Sequence, residues 1–500
     1  MADQQADQQK EVGYERLGGK KLGLVDVIAQ SVGFMGPVFS AAFLIPVIVG
    51  ANAAAKGAGI AAPLSVLIAA IGVFAIGWIV AQYAKQIHAA GSLYDYVSNG
   101  LGSTLGASAG WLYYGGTIVL TTGLGILIGG YIHDFLLPAF NWDPGISIWA
   151  WDVIWALILF GILFLGVQIS TRVQLTLALI SVAVVGVFMI SVIIQIGGDN
   201  DVLKTFNPSS SPSGWSGIFF GVLYGVLIFV GFETAANLAE ETAEPKRSIP
   251  RAVLLSVVIV SVFYLIAAYT VVAGYGFNLD AIFAANAAGP ALVLLGLPKA
   301  AGGYGSDLIF KLLLLVVLLD IMAVGVGAAV ASTRGTFAMA RDRRLPAVIA
   351  RVSSRYGTPI GAIVLLMIVQ GLFIVASEGW TSLFALEGLP HFFALFIWAS
   401  TFGGFALVVV YLMMSVGALR GLTDGPGRAG VVVAALVGIA ITAAAIFGSF
   451  YKVPSPTLIA PWAAVIWFLI GLVLMLAVKG REPASQVLGD LHSEVGAKGV

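Results

Sequence analysis

The sequence predicts an all-α integral membrane protein with twelve transmembrane helices. Of its 500 residues, 59% are hydrophobic and 10% are charged, and the mean hydropathy is +0.99. A soluble domain usually carries about 25% charged residues. Apolar runs of about 20 residues recur along the whole chain, and each run is long enough to cross about 30 Å of hydrocarbon.

Turn-rich segments separate the apolar runs, as at residues 207–214 and 424–427. The predicted spans are 25–50, 62–84, 105–137, 148–168, 173–197, 214–241, 250–274, 306–335, 360–377, 391–417, 429–450 and 459–478. The ends, 1–24 and 479–500, read as polar tails. Residues 1–21 lack the apolar core of a signal peptide.

Lys and Arg are distributed unequally between the predicted sides of the membrane. Twenty of the 25 fall on one side and four on the other, while Lys311 lies within the eighth span. Because positive residues concentrate in cytoplasmic loops, both termini are predicted to lie in the cytoplasm of a cell whose plasma or inner membrane holds the protein. This rule accounts for the basic clusters at 246–251 and 341–344 without anionic lipid binding. The net charge of zero gives no indication of a nucleic-acid partner.

The span count predicts an internal repeat. Segments 25–197 and 198–417 each contain five spans, the second with a leading loop, and 418–478 adds two C-terminal helices. Since five is odd, the second half enters the membrane from the opposite side, and any repeat is inverted.

Two spans contain helix breaks at matching positions. Gly33–Pro37 interrupts the first span, and Gly231–Glu233 interrupts the sixth and adds a carboxylate. Free backbone groups and a buried acid are tolerated in a membrane only where they face protein or a water-filled cavity. Paired breaks in corresponding helices of two halves indicate the binding site of a transporter.

Four segments resemble the amino acid–polyamine–organocation transporters. Residues 231–241 and 244–252 match the G-F-E…E-E…P…I-P-R-A signature of the sixth helix and following loop. Residues 332–346 are similar to the loop after helix 8, and 91–97 to the loop before helix 3. The resemblance implies the leucine-transporter-type fold, a five-plus-five inverted repeat with discontinuous helices 1 and 6. It also implies alternating access around a site between helices 1, 3, 6, 8 and 10.

The first break is a candidate substrate site formed by Gly33, Phe34, Met35, Gly36 and Pro37. A helix beginning near the proline would present N–H groups to a substrate carboxylate. The alternative is that the glycines only permit close helix packing. Proline supplies no N–H, so the amides of residues 36 and 38 are expected to remain available. Family members that carry amino acids commonly have Gly-Ser-Gly at this position. A break in which a methionine is followed by a proline, as in Met35-Gly36-Pro37, is more similar to members that carry polyamines or other organic amines.

Two intramembrane acids are further candidates. Glu233 is predicted to bind a substrate ammonium or a proton, or to act as an inner gate; alternatively it is a structural acid bonded to nearby amides. Asp320, in the eighth span, either binds a cation or proton or pairs with a donor on another helix. Aromatic faces at the breaks offer cation–π contacts or simple packing. These aromatic candidates are Phe34, Phe229 and Phe232, with Tyr113, Tyr114 and Trp398 as weaker ones.

The coupling ion is predicted from helices 5 and 8. Sodium-driven relatives place hydroxyls on helix 8 near the first break, but residues 323–331 carry no side-chain oxygen, so sodium is disfavoured. Some proton-coupled relatives carry a lysine on helix 5, where this chain is expected to have Ser181. Proton symport through Glu233, or exchange, is expected.

The predicted function is secondary transport of amino acids or related small organic amines, with polyamine or amino-alcohol transport as the alternative. A transporter-like membrane sensor is an alternative from another class. No enzymatic activity, cofactor or metal is expected, because the chain has no cysteine and its four histidines are scattered. The oligomeric state is not predicted.

Overall fold

The computed structural model describes residues 22–50, 57–379, 390–422, 427–451 and 457–478, and this part of the chain is mainly helical. Its long helices are α1 (Leu24–Val49), α2 (Gly59–Ala84), α3 (Ser103–Ala139), α4 (Ile148–Leu165), α5 (Val167–Asp199), α6 (Trp215–Glu241), α7 (Pro245–Gly274), α8 (Asp307–Arg341), α9 (Ile360–Gly379), α10 (His391–Gly421), α11 (Arg428–Gly448) and α12 (Ile459–Ala477). Each is long and apolar enough to cross a membrane, which confirms the predicted count. Residues 1–21 and 479–500 of the predicted tails lie outside the described residues.

The helix boundaries differ from the sequence prediction by a few residues, and the three largest differences are in α5, α7 and α8. Helix α5 begins at Val167 rather than 173, because one residue, Gly166 with φ 117°, joins it to α4. Helix α7 begins at Pro245 rather than 250, since proline suits the first turn of a helix. Helix α8 continues to Arg341, so most of the segment expected to be a loop after helix 8 is helical.

The segment expected to be a loop before helix 3 also contains a helix, Leu93–Leu101. No β-strand occurs in the described ranges. An isolated parallel bridge between Leu22 and Thr242 holds the chain before α1 against the end of α6.

Burial divides the helices into central and peripheral groups. In their most apolar stretches, α1, α3 and α8 bury 72–83% of the residues, and α2, α6, α7 and α10 bury 56–67%. The corresponding fraction is 22–33% for α4, α5, α9, α11 and α12. The apolar side chains exposed on this second group are suited to lipid. The central group therefore contains both broken helices and α8, which carries Asp320.

Candidate functional site

The first break is a left-handed glycine followed by a proline. Helix α1 is regular from Leu24 to Met35, Gly36 adopts φ 57° and ψ 71°, and a new helical segment starts at Pro37. A Cβ on Gly36 would lie 2.2 Å from a methyl carbon of Val324 on α8. Glycine is therefore required here both by backbone conformation and by the close approach of α8.

The second break lies in α6, where the α-helix ends at Leu227 and a 3₁₀ segment begins at Phe232. Between them Gly231 adopts φ 112°. A Cβ on this glycine would lie 2.8 Å from Cγ of Phe34 and 3.1 Å from the backbone nitrogen of Met35. The two breaks are therefore in direct contact with each other.

Side chains from neighbouring elements satisfy the carbonyl groups released by the breaks. The Tyr264 hydroxyl of α7 lies 3.0 Å from the carbonyl oxygen of Met35 and 2.8 Å from that of Ile228, so it bridges the two breaks. Ser31 donates to the carbonyl oxygen of Phe232 at 2.7 Å. These bonds replace the missing helical partners, as irregular backbone within a membrane requires.

Asp320 bonds directly to the first break. Its Oδ2 accepts the N–H groups of Val38 and Phe39 at 2.9 and 2.7 Å, although these residues are 282 and 281 positions away in sequence. The structure thus contradicts the expectation that the amides of residues 36 and 38 remain available, because Gly36 donates to the carbonyl of Val32. The side chain is fully buried, and its Oδ1 has no hydrogen-bond partner among the described residues.

Glu233 is fully buried beside the second break and is bonded through both carboxylate oxygens. Oε1 accepts the Tyr113 hydroxyl of α3 at 2.5 Å. Oε2 accepts the Tyr411 hydroxyl of α10 at 2.7 Å and the N–H of Gly231 at 3.2 Å. Glu233 therefore connects α3, α6 and α10, and Tyr411 is a site residue that the sequence analysis missed.

Three of the aromatic candidates, Phe34, Phe229 and Phe232, pack around the breaks. Phe229 meets Tyr264 edge-on with 5.2 Å between ring centroids, and Phe232 meets Tyr411 at 5.4 Å. Phe34 and Met35 are buried against the second break. Tyr114 bonds to Asn237 and the carbonyl of Gly91 rather than to either break. Trp398 stacks on Phe402 in a separate apolar cluster with α12, so it is not brought to the breaks.

Comparison with known proteins identifies the family. The amino acid permease family matches residues 32–421, which include both breaks and both acids. The chain belongs to the amino acid permease family. It is 26% identical over 325 residues to the γ-aminobutyric acid permease of Escherichia coli K12, a match that covers 63% of this chain and 66% of that permease.

A second permease and a solved transporter structure are also similar to this chain. The branched-chain amino acid permease BcaP of Lactococcus lactis is 25% identical over 346 residues, with 66% of this chain and 70% of BcaP covered. A manganese transporter from Eremococcus coleocola has a similar solved structure, with a TM-score of 0.54, 13% identity, and 91% and 93% of the two chains covered. At this identity the likeness shows the leucine-transporter-type fold alone.

In this permease the side chain of helix α5 that reaches between α1 and α8 is Gln174, not Ser181. A Cβ on Gly33 would lie 2.3 Å from Cγ of Gln174, and one on Gly327 would lie 2.2 Å from its Nε2. Its amide donates to the carbonyl of Gln30 at 3.2 Å. Ser181 is buried two helical turns away, with its hydroxyl 2.8 Å from the carbonyl oxygen of Val316 on α8.

Buried ion pairs link α6 and α8 at one end of the permease's central helices. Arg334 of α8 binds Glu241 of α6 through two nitrogens at 2.6 and 3.2 Å, and both side chains are at most 4% exposed. Two helical turns further along α8, Arg341 binds Glu240 at 2.9 Å. The backbone N–H of Leu22 also donates to the carbonyl of Glu241 at 2.8 Å. The acids of the sixth-helix signature therefore tie α6 to α8, and a backbone hydrogen bond at Glu241 adds the chain before α1.

Proposed function

We propose that this permease is a secondary transporter that carries amino acids or related small organic amines by alternating access around the paired breaks. The observation that carries the proposal is the contact between Gly231 of α6 and Phe34 of α1, within a region containing two buried carboxylates. Non-helical backbone of this kind supports a solute site because its groups are not all committed to a regular helix.

The arrangement also supports movement. The Tyr264 hydroxyl and the contacts of Gly231 join the two breaks, whereas ion pairs join the distant ends of α6 and α8. If α6 and α8 separated at the end joined by the ion pairs while the two breaks stayed in contact, the site would be exposed to one side of the membrane. With both termini in the cytoplasm, this end would face the cytoplasm.

Proton coupling or exchange fits the acids better than sodium coupling does. Glu233 receives three hydrogen bonds from the protein, and a change in its protonation would alter the links between α3, α6 and α10. The stretch 323–331 of α8 carries no side-chain oxygen to bind sodium beside the first break. We therefore assign the coupling role to Glu233, with exchange as the alternative.

Flux into proteoliposomes tests the function. The purified chain is reconstituted, and uptake of labelled γ-aminobutyrate, leucine, ethanolamine and putrescine is measured with and without a pH gradient or internal unlabelled solute. Carrier-mediated, saturable uptake of at least one solute is expected. Saturable binding without any flux would refute the transporter assignment and favour a sensor.

A matched pair of variants tests the role of Glu233. Glu233→Gln should retain the fold and lose gradient-driven accumulation, while Glu244→Gln should behave as the unchanged protein because Glu244 is 68% exposed and forms only a 3.8 Å pair with Arg247. Gradient-driven uptake that is unchanged in Glu233→Gln would remove Glu233 from the coupling mechanism.

A further inference from the structure

Asp320 occupies the place at the first break that a substrate carboxylate would take. A helix N-terminus attracts an anion through its unpaired N–H groups. In the outer segment of α1, the first residue is Pro37, which has no N–H, and the next two amides both donate to Oδ2 of Asp320. The protein therefore supplies its own anion at this position.

The carboxylate of Asp320 lacks a compensating positive charge within the described residues. Lys311 is on the same helix, but its ammonium pairs with Asp307 at 2.7 Å. No other Lys, Arg or His in the described ranges forms an ion pair with Asp320. A buried carboxylate without a partner charge is unfavourable. A cationic ligand would supply the positive charge that the Asp320 carboxylate lacks.

Glu233 and Asp320 differ in whether they have a carboxylate oxygen that can still accept a hydrogen bond. Both oxygens of Glu233 already accept hydrogen bonds, three in total. Asp320 uses only Oδ2, while Oδ1 is fully buried and accepts no hydrogen bond from the described residues. An ammonium group donates hydrogen bonds and accepts none. Oδ1 of Asp320 is thus the better acceptor for it.

We propose that the permease selects small organic amines without an α-carboxylate, and that Asp320 both fills the carboxylate position and binds the ammonium group through Oδ1. This inference rests on the proposed function and narrows its substrate class. In an α-amino acid the carboxylate and ammonium share one carbon, so binding the ammonium at Oδ1 would bring two carboxylates together. Like-charge contacts of this kind are strongly unfavourable.

Matched ligand pairs test the selectivity. Purified protein in nanodiscs is titrated with serine and ethanolamine, ornithine and putrescine, and leucine and 3-methylbutylamine, with binding measured by thermal shift and calorimetry. The amine of at least one pair should bind at least about tenfold more tightly than its amino acid. The same pairs are compared in the proteoliposome uptake assay.

Two substitutions separate the two roles of Asp320. Asp320→Asn keeps a carbonyl oxygen for the amides of Val38 and Phe39, so amine affinity should fall about ten- to a hundredfold without a gain for the amino acid. Asp320→Ala removes the acceptor, so amine affinity should fall and the amino acid should gain affinity. Asp307→Asn, a change at an acid 73% exposed on the same helix, is the control. If Asp320→Ala does not fold, Asp320→Asn still tests the ammonium contact.

The outcomes distinguish this inference from the function on which it rests. Uptake of amino acids with exclusion of their amines would overturn the amine selectivity and leave the transporter function intact. Amine affinity that is unchanged in Asp320→Asn would also overturn the inference. Uptake of neither member of any pair, nor of γ-aminobutyrate, would overturn the proposed function and the inference with it.

Discussion

Replacement of Glu241 by Gln should favour separation of α6 and α8 at the end where buried ion pairs join them. Glu241 receives two hydrogen bonds from Arg334, and both side chains are almost fully excluded from solvent. Gln would leave the guanidinium buried without its counter-charge. Removing one partner of a buried ion pair typically costs about 3–5 kcal/mol.

That cost applies to the closed arrangement, because water can solvate Arg334 once α6 and α8 separate. Taking the lower figure of about 3 kcal/mol, the ratio of open to closed protein should rise by about 100-fold. Replacing both partners by apolar side chains of similar size, as in Glu241→Leu with Arg334→Met, should restore closure because no unpaired charge remains.

Cysteine labelling measures the change in the ratio of open to closed protein. The sequence contains no cysteine, so Ser332→Cys creates a single thiol on α8 at a fully buried position. Its reaction with a membrane-impermeant maleimide should be slow in the parent and much faster with Glu241→Gln. Glu244→Gln is the control, because exposed pairs such as Glu244–Arg247 contribute only about 0–1 kcal/mol. An unchanged labelling rate in folded Glu241→Gln protein would refute the idea that this pair holds the end closed.

Two further predictions concern the breaks and are measured by thermal unfolding in detergent. Gly231→Ala should lower the free energy of unfolding by about 2–5 kcal/mol, because alanine would adopt a left-handed conformation and press against the facing break. Gly186→Ala, where nothing lies within 4 Å of the added Cβ, should be neutral or stabilising, and equal effects at the two sites would contradict the reasoning. Tyr264→Phe should cost about 1–3 kcal/mol by leaving the carbonyl of Ile228 without its donor, and an unchanged melting temperature would contradict this.

The sequence predicts the number of spans and the positions of the breaks because both depend on local chemistry. Apolar length determines whether a helix can cross the membrane. Glycine at residues 36 and 231 permits the left-handed backbone, and Pro37 starts the next segment. These properties belong to short stretches of chain and can be read without knowledge of the packing.

The bonding partners at the site are harder to predict because they come from distant helices. Asp320 is 282 residues from Val38, and Arg334 is 93 residues from Glu241. A sequence shows that a buried acid needs a donor but does not show which helix supplies it. The same limit applies on α5, where the sequence analysis named Ser181 and the structure places Gln174 beside the first break. Ser181 is seven residues further along the same face of α5 and bonds to the carbonyl of Val316, because position along a helix relative to another helix depends on packing that the sequence does not show.

The two breaks are stabilised by the same kind of hydrogen bond. In each break, main-chain N–H groups released from the helix bind a carboxylate of the protein itself, Asp320 at the amides of Val38 and Phe39 and Glu233 at that of Gly231. Glu233 lies in the broken helix α6 itself, and Asp320 lies on α8, which packs against the first break. Loss or gain of charge at either acid would therefore change the backbone contacts at a break directly. In the transport cycle that we propose, solute recognition and helix movement would act through the same few hydrogen bonds, which is the coupling that alternating access requires.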